Sequence, residues 1–408
     1  MKKSLIALAV VAAAGAAQAQ SNVTLFGVVD IGYGTHKTSG PNGAEIKSSG
    51  VMDGGHAGNR VGFRGSESLG GGLTADFWIE QGLNPTNGEL FALRTATAGH
   101  QLDGWSSAGG SAALSGAAGA YSSGTNRQTW AGLRGGFGNV RIGYQYTNLY
   151  ELTTLAGYSQ GSEGIVGGDK AHLIRQDLFG GTRANGVTYI SPSFSGLTLR
   201  VQYGAGSDSR ETISNATANV PANLLNLSES KRTSVLAHYA AGPLSAMLAH
   251  TKVDVASSNL AVAAGSSTIN AFSALSAPST AAAAAASSSQ TRTLTQLGAS
   301  YDLKVTKLSM VYNDGDNGAG GSKIKGLQLG ATVPFGATVP FLNWGQASVT
   351  TSATGAKTED YKLLQWGVRH NLSARTIAYL MVGETKNDAA NAAYNKDSKT
   401  IVGVYHSF

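Results

Sequence analysis

From Ser21 onward the chain alternates apolar and polar residues with a period of two. Leu73, Ala75, Phe77 and Ile79 alternate with Thr74, Asp76, Trp78 and Glu80. Val140, Ile142, Tyr144 and Tyr146 alternate with Arg141, Gly143, Gln145 and Thr147. Leu197, Leu199, Val201 and Tyr203 do so with Thr198, Arg200 and Gln202, and Leu308, Met310 and Tyr312 with Lys307 and Ser309. A period of two sends one set to each face of a β-strand, and unlike sets mean unlike surroundings. Helical spacing fits none of these segments. The connections also sort by length. Seven are short: Ser68–Gly72, Gly135–Asn139, Ser191–Gly196, Ala240–Leu244, Asp302–Val305, Pro334–Ala337 and Asn371–Ala374. Between them lie longer stretches, at roughly 38–58, 85–126, 148–182, 208–230, 256–289, 313–321, 352–357 and 387–397. Seven turns and eight loops join sixteen strands, the last being Lys399–Phe408.

Short turns at one end and long loops at the other predict an all-β fold, an up-and-down antiparallel barrel. An even strand count lets the first and last strands pair and close the sheet. In hydrocarbon every backbone N–H and C=O must be satisfied within the protein, which a closed barrel does because it has no edge. A soluble two-sheet sandwich is the competing architecture. It hides its apolar faces between sheets and has no reason to sort loop lengths by end. Tyr144, Tyr146, Tyr203 and Tyr312, near strand ends, fit a girdle at a membrane interface. The expected fold is a transmembrane, 16-stranded antiparallel barrel. Along it, Arg64, Arg141 and Arg200 fall on the polar, lumen-facing phase, and Asp30, Asp76 and Glu80 share that phase and moderate its charge.

Met1-Lys2-Lys3, the apolar stretch Ser4–Ala17 and the small-x-small Ala17-Gln18-Ala19 read as a secretory signal peptide over 1–19, leaving the barrel as 20–408. No later run reaches the about 18 apolar residues of a membrane helix. The segment 256–289, with Ala281–Ala286 and many serines, reads as a low-complexity surface loop, and 106–125 as another. Of 408 residues 55 are glycine, 8 proline and none cysteine. The missing cysteine excludes disulfides, cysteine zinc sites, iron–sulfur clusters and thiol nucleophiles. Lys and Arg exceed Asp and Glu by 30 − 24 = 6, or by 4 once Lys2 and Lys3 are removed, and no basic run points to nucleic acid.

Enzyme signals are sparse. Gly157-Tyr158-Ser159-Gln160-Gly161 matches G-x-S-x-G, but that motif needs a strand-to-helix elbow on a mainly parallel sheet. The glycine-rich Gly161–Lys170 lacks the G-K-[ST] of a phosphate loop. The eight histidines form neither H-x-H nor H-E-x-x-H. No catalytic residue, metal or cofactor is therefore expected. An adhesin explains the long loops but not the lumen arginines, and a barrel hydrolase needs a nucleophile–base pair that the sequence does not supply.

At the C-terminus Val402, Val404, His406 and Phe408 share one face, and a terminal Phe after alternating apolar residues resembles an outer-membrane barrel assembly signal. Further segments carry a wider likeness: Val23–Asp30 (VTLFGVVD), Asn59–Glu67 (NRVGFRGSE), Asn126–Leu133 (NRQTWAGL), Gly136–Val140 (GFGNV), Ser191–Leu197 (SPSFSGL) and the closing His406-Ser407-Phe408. In combination the chain resembles the general trimeric porins of Gram-negative outer membranes, of the β-proteobacterial and neisserial type.

The resemblance implies a homotrimer of barrels, each with a water-filled pore narrowed by an inward-folded third loop. Here that loop is about 148–182, with Glu151, Glu163, Asp169 and Asp177. By motif position the facing arginines are Arg60 and Arg127, with Arg183 as a third. The Pro-Glu-Phe type of motif common at the loop tip is replaced by Glu163–Asp169 (EGIVGGD). The expected partners are small hydrophilic solutes and anions, outer-membrane lipids and lipopolysaccharide, and the barrel assembly machinery, with no nucleic acid. The expected function is passive diffusion with an anion preference. A channel specific for organic acids, phosphate or sugars is the alternative.

Overall fold

The computed structural model describes residues 22–40, 43–53, 55–83, 85–86, 127–156, 183–204, 226–259, 286–318, 321–352, 354–389 and 396–408. In chain order these form β1 (Asn22–Ser39), β2 (Glu45–Asp53), β3 (Arg60–Gly70), β4 (Leu73–Gly82), β5 (Gln128–Gly135), β6 (Gly138–Tyr146), α1 (Asn148–Leu155), β7 (Arg183–Ile190) and β8 (Leu197–Gly204). Then follow β9 (Asn226–Ala241), β10 (Leu244–Asn259), β11 (Ala286–Asp302), β12 (Lys307–Asp316), β13 (Ser322–Thr332), β14 (Thr338–Thr351), β15 (Lys357–Asn371), β16 (Thr376–Asn387) and β17 (Lys396–Ser407). From β3 to β17 each strand pairs antiparallel with the next, and β17 closes on β1 from Val28 opposite Ser407 to Ser39 opposite Lys396.

β1 pairs with β3 over Asn22–Val28 and with β2 over Ile31–Ser39. β2 and β3 thus lie end to end as one interrupted strand, and the seventeen segments make sixteen strands around the ring. This differs from the expected long loop at 38–58. The cause is chemical: Thr35–Ser39 and Glu45–Ser49 are mostly polar, so apolar periodicity gives no signal there. Backbone pairing and the Lys37–Glu45 ion pair at 2.5 Å continue the ladder without it. For the same reason β10 and β11 run to Asn259 and from Ala286, into the stretch expected as loop. The seven short turns fall where the spacing places them. At the β3–β4 turn Gly71 and Gly72 have φ of 59° and 80°, the left-handed pair that a tight hairpin needs.

Outward residues such as Ile142, Leu248, Leu297, Leu364, Trp366 and Val402 are exposed, as a lipid-facing wall requires. The inward face holds α1. Thr147 caps it by accepting from the Tyr150 amide, and Asn148 Nδ2 donates to the carbonyls of Arg200 (3.3 Å) and Ser234 (3.1 Å). Eight residues make a helix too short to stand alone in water, so packing holds it. Leu152 and Ala156 pack on Leu236, Met247, Ala249 and Val311, while Leu149 joins Leu294, Ile324, Met381 and Ile401. On β9, β10 and β11 these apolar residues point inward, against the simple reading of apolar as outward, because the helix covers that part of the wall.

The interruption in the β2–β3 strand is clasped from inside. Asp30, fully buried, accepts from the His56 and Ala57 amides (2.6 Å each) and from the Tyr379 hydroxyl (2.5 Å). Asn59 Nδ2 donates back to the Asp30 carbonyl at 2.9 Å. Tyr379 reaches across Gly403, where a Cβ would overlap its hydroxyl. Asp30 was expected to temper the lumen field. Its charge is spent on these donors instead.

Candidate functional site

The site is the inward face of the barrel, toward which alternation points every second side chain of each strand. Arg127, just before β5, is buried at 8% exposure, whereas a bare constriction charge would be open to water. Its Nε donates to Glu80, itself 2% exposed, and its Nη2 to the Tyr146 hydroxyl at 2.9 Å. Arg183 joins the same group, with Nη2 3.3 Å from that hydroxyl and its guanidinium 4.8 Å over the Tyr146 ring. Tyr146, expected in the outer girdle, is therefore a shared acceptor for two arginines. Arg60 opens β3, half-buried, with Nη1 donating to the Gly58 carbonyl at 3.0 Å.

Of the loop acids, Glu151 sits on α1 with Oε1 3.0 Å from Arg200 Nη1. Glu163, Asp169 and Asp177 lie outside the described residues, as do Gly157–Lys170 and the signal segment. Asp76 is held by Arg134, whose Nε and Nη2 reach its two oxygens at 3.2 and 3.3 Å. Arg134 was not singled out in the sequence, nor were Arg232, Arg369 and Lys399. All four share the inward phase of their strands. The signal was present: Arg369 lies in phase with Gln365 and out of phase with Leu364 and Trp366.

Two inward arginines are positioned differently. Arg64 is exposed, with its guanidinium 5.6 Å from the Phe26 ring centre and 5.7 Å from that of Trp78. Arg141 lies 4.4 Å over the Trp130 ring. Stacking fixes a planar guanidinium without neutralising it. Neither has a carboxylate within ion-pair distance among the described residues. The wall therefore offers fixed positive charge to water in a gap whose low-dielectric sides focus the field.

At the C-terminus, Phe408 exchanges two backbone hydrogen bonds of 3.2 Å with Gly27, and a Cβ on Gly27 would overlap its ring. His406 Nδ1 lies 3.0 Å from Thr376 Oγ1. Val402, Val404 and Phe408 are exposed on the outer face.

Comparison with known proteins agrees with this architecture. A family model described as Gram-negative porin matches residues 5–390. Outer membrane porin protein 32 of Delftia acidovorans is 30% identical over 402 residues, covering 96% of this chain and 91% of its own. The major outer membrane protein P.IB of Neisseria meningitidis serogroup B is 31% identical over 211 residues, about half of each chain. The solved structure of an anion-selective porin from Comamonas acidovorans superposes with a TM-score of 0.62 at 23% identity, covering 95% of this chain and all of that one. A closed antiparallel barrel with a charged lumen, matched along nearly its whole length by one family, makes this chain a member of the Gram-negative porins, channels of the outer membrane.

Proposed function

We propose that this porin prefers anions, that it assembles as a homotrimer, and that its narrowest part lies where the 148–182 segment faces Arg60, Arg127 and Arg183. One observation carries the charge preference. The inward acids Asp30, Asp76, Glu80, Glu151 and Asp397 are each engaged by an arginine, a histidine or backbone donors. Arg60, Arg64, Arg141 and Arg369 have no such carboxylate among the described residues. Among the described residues, a wall on which these five acids are engaged and these four arginines are not lowers the barrier for anions and raises it for cations. The anion-selective Comamonas porin of like fold supports the same reading.

The channel works by not holding its solutes, so it involves no catalytic step and no cofactor. For the trimer, the support is the family likeness and an outward concavity lined by Val23, Phe77, Leu133 and Ile142 on the β1–β6 wall. The exposed Val402, Val404 and Phe408 are the face offered to the assembly machinery, and the rest of the outer wall meets lipid and lipopolysaccharide.

A planar-bilayer recording of the purified protein in a KCl gradient tests this reading. Steps grouped in threes with a reversal potential toward the chloride value are expected. A potassium-leaning potential would leave the porin and remove the anion preference.

A further inference from the structure

Across the ladders of β1, β3, β4, β5 and β6 runs one inward strip: Arg64, Phe26, Trp78, Trp130 and Arg141. Arg64 is the cross-strand partner of Trp78, and Trp78 of Trp130. The Trp78 and Trp130 rings are nearly parallel, at 9°, with centres 6.3 Å apart, and Phe26 lies 4.5 Å from Trp78. The other members face glycines: Phe26 opposes Gly62, Trp130 opposes Gly143 and Arg141 opposes Gly132. These glycines are spaces the strip occupies. A Cβ on Gly62 would come within 2.5 Å of the Phe26 ring, and one on Gly132 within 3.2 Å of Arg141 Cγ. Gly143, at φ 135°, has no room for a Cβ beside the Thr129 carbonyl and the Trp130 backbone.

The acids of this wall are committed elsewhere, Asp76 to Arg134 and Glu80 to Arg127 and to the Trp78 indole N–H at 2.9 Å. What remains is a row of half-buried rings with a cation near each end and no carboxylate within ion-pair distance of those cations among the described residues. A small inorganic anion uses the cations and ignores the rings. A sugar uses the rings and ignores the charge. A planar aromatic ring bearing a carboxylate uses both: the carboxylate takes a guanidinium fork, and the ring lies against indole.

We propose that this strip is a transit site for aromatic carboxylates, which the pore passes in preference to aliphatic carboxylates of the same charge and size. The proposal rests on the pore reading above and names a solute class for it. Stacking adds attraction on the path, and a weak site of this kind speeds permeation provided that release stays fast.

The test is the permeability of benzoate relative to cyclohexanecarboxylate, taken from reversal potentials under bi-ionic conditions in planar bilayers. Wild-type channels should favour benzoate by about threefold or more, the range of one aromatic contact. Trp130→Leu should bring the ratio near one, with heat-dependent gel mobility confirming the folded barrel. Trp366→Leu, on the lipid-facing side, should leave it unchanged. Equal permeabilities in the wild type, or a preference that survives in Trp130→Leu, would overturn the proposal while leaving the pore intact. Absence of conductance steps would overturn the pore reading itself, and the transit site with it.

Discussion

The lumen wall holds arginines of two kinds. Arg127, Arg134 and Arg200 are paired with Glu80, Asp76 and Glu151. Arg64 and Arg141 are laid on aromatic rings and meet no carboxylate among the described residues. Both kinds are held in place, and the holding groups differ. A carboxylate fixes a guanidinium by cancelling its charge, whereas an indole fixes it and leaves the charge for a solute. The position of an arginine in a porin wall therefore says less about selectivity than what anchors it.

The largest expected difference between the two kinds is in stability. Arg127→Ala leaves Glu80 buried with only the Trp78 indole N–H as a direct donor and no cation paired to it, which costs about 3–5 kcal/mol in a denaturant titration of the folded barrel. Replacing both partners, Arg127→Met with Glu80→Gln, should recover all but about 1–2 kcal/mol, because no lone buried charge remains. If the double replacement is as damaging as the single one, the pair is a packing element and the comparison loses its electrostatic basis.

Arg64→Ala should be milder, at most about 1 kcal/mol, since an exposed cation over a ring contributes little to stability. A loss as large as that of Arg127→Ala would show that Arg64 is structural too.

The smallest effect belongs to a pair outside the wall. Lys362 Nζ lies 2.8 Å from Asp388, beyond the end of β16, and holds that carboxyl below the usual carboxylate range. A depressed carboxyl stabilises above its unfolded value, and that contribution disappears as pH falls through the folded one. The pair is solvent-exposed, so Asp388→Asn should shift the unfolding midpoint at pH 7 by less than about 2 °C, and the two profiles should converge only as pH falls through the lowered folded value of the carboxyl.

Much of this was legible in the sequence. Alternation placed the strands, and the spacing of turn residues placed the seven hairpins. Arg64, Arg141 and Arg200 fall on the inward phase that period two assigns to them. Periodicity failed where the chemistry it reads is missing, as at Thr35–Ser49, where a strand pair continues through polar residues. It also failed at Leu236, Met247 and Leu294, which are inward and apolar because α1 packs against β9, β10 and β11. Which arginine is paired and which is stacked was not legible. Arg127 meets Glu80 across 47 positions of chain, and phase alone does not state which neighbour a long side chain chooses. Trp78 fell on the inward phase with Asp76 and Glu80, but its pairing with Trp130 emerged only from the register.

The most direct measurement of the central claim compares two double variants in the same KCl gradient. Arg64→Ala with Arg141→Ala removes the two stacked charges, and Arg127→Met with Glu80→Gln removes one neutral pair. The reversal potential should move clearly toward the potassium value in the first and stay near the wild-type value in the second. A larger movement in the second, or none in the first, would contradict the claim that the unpaired, ring-held arginines set the selectivity of this pore.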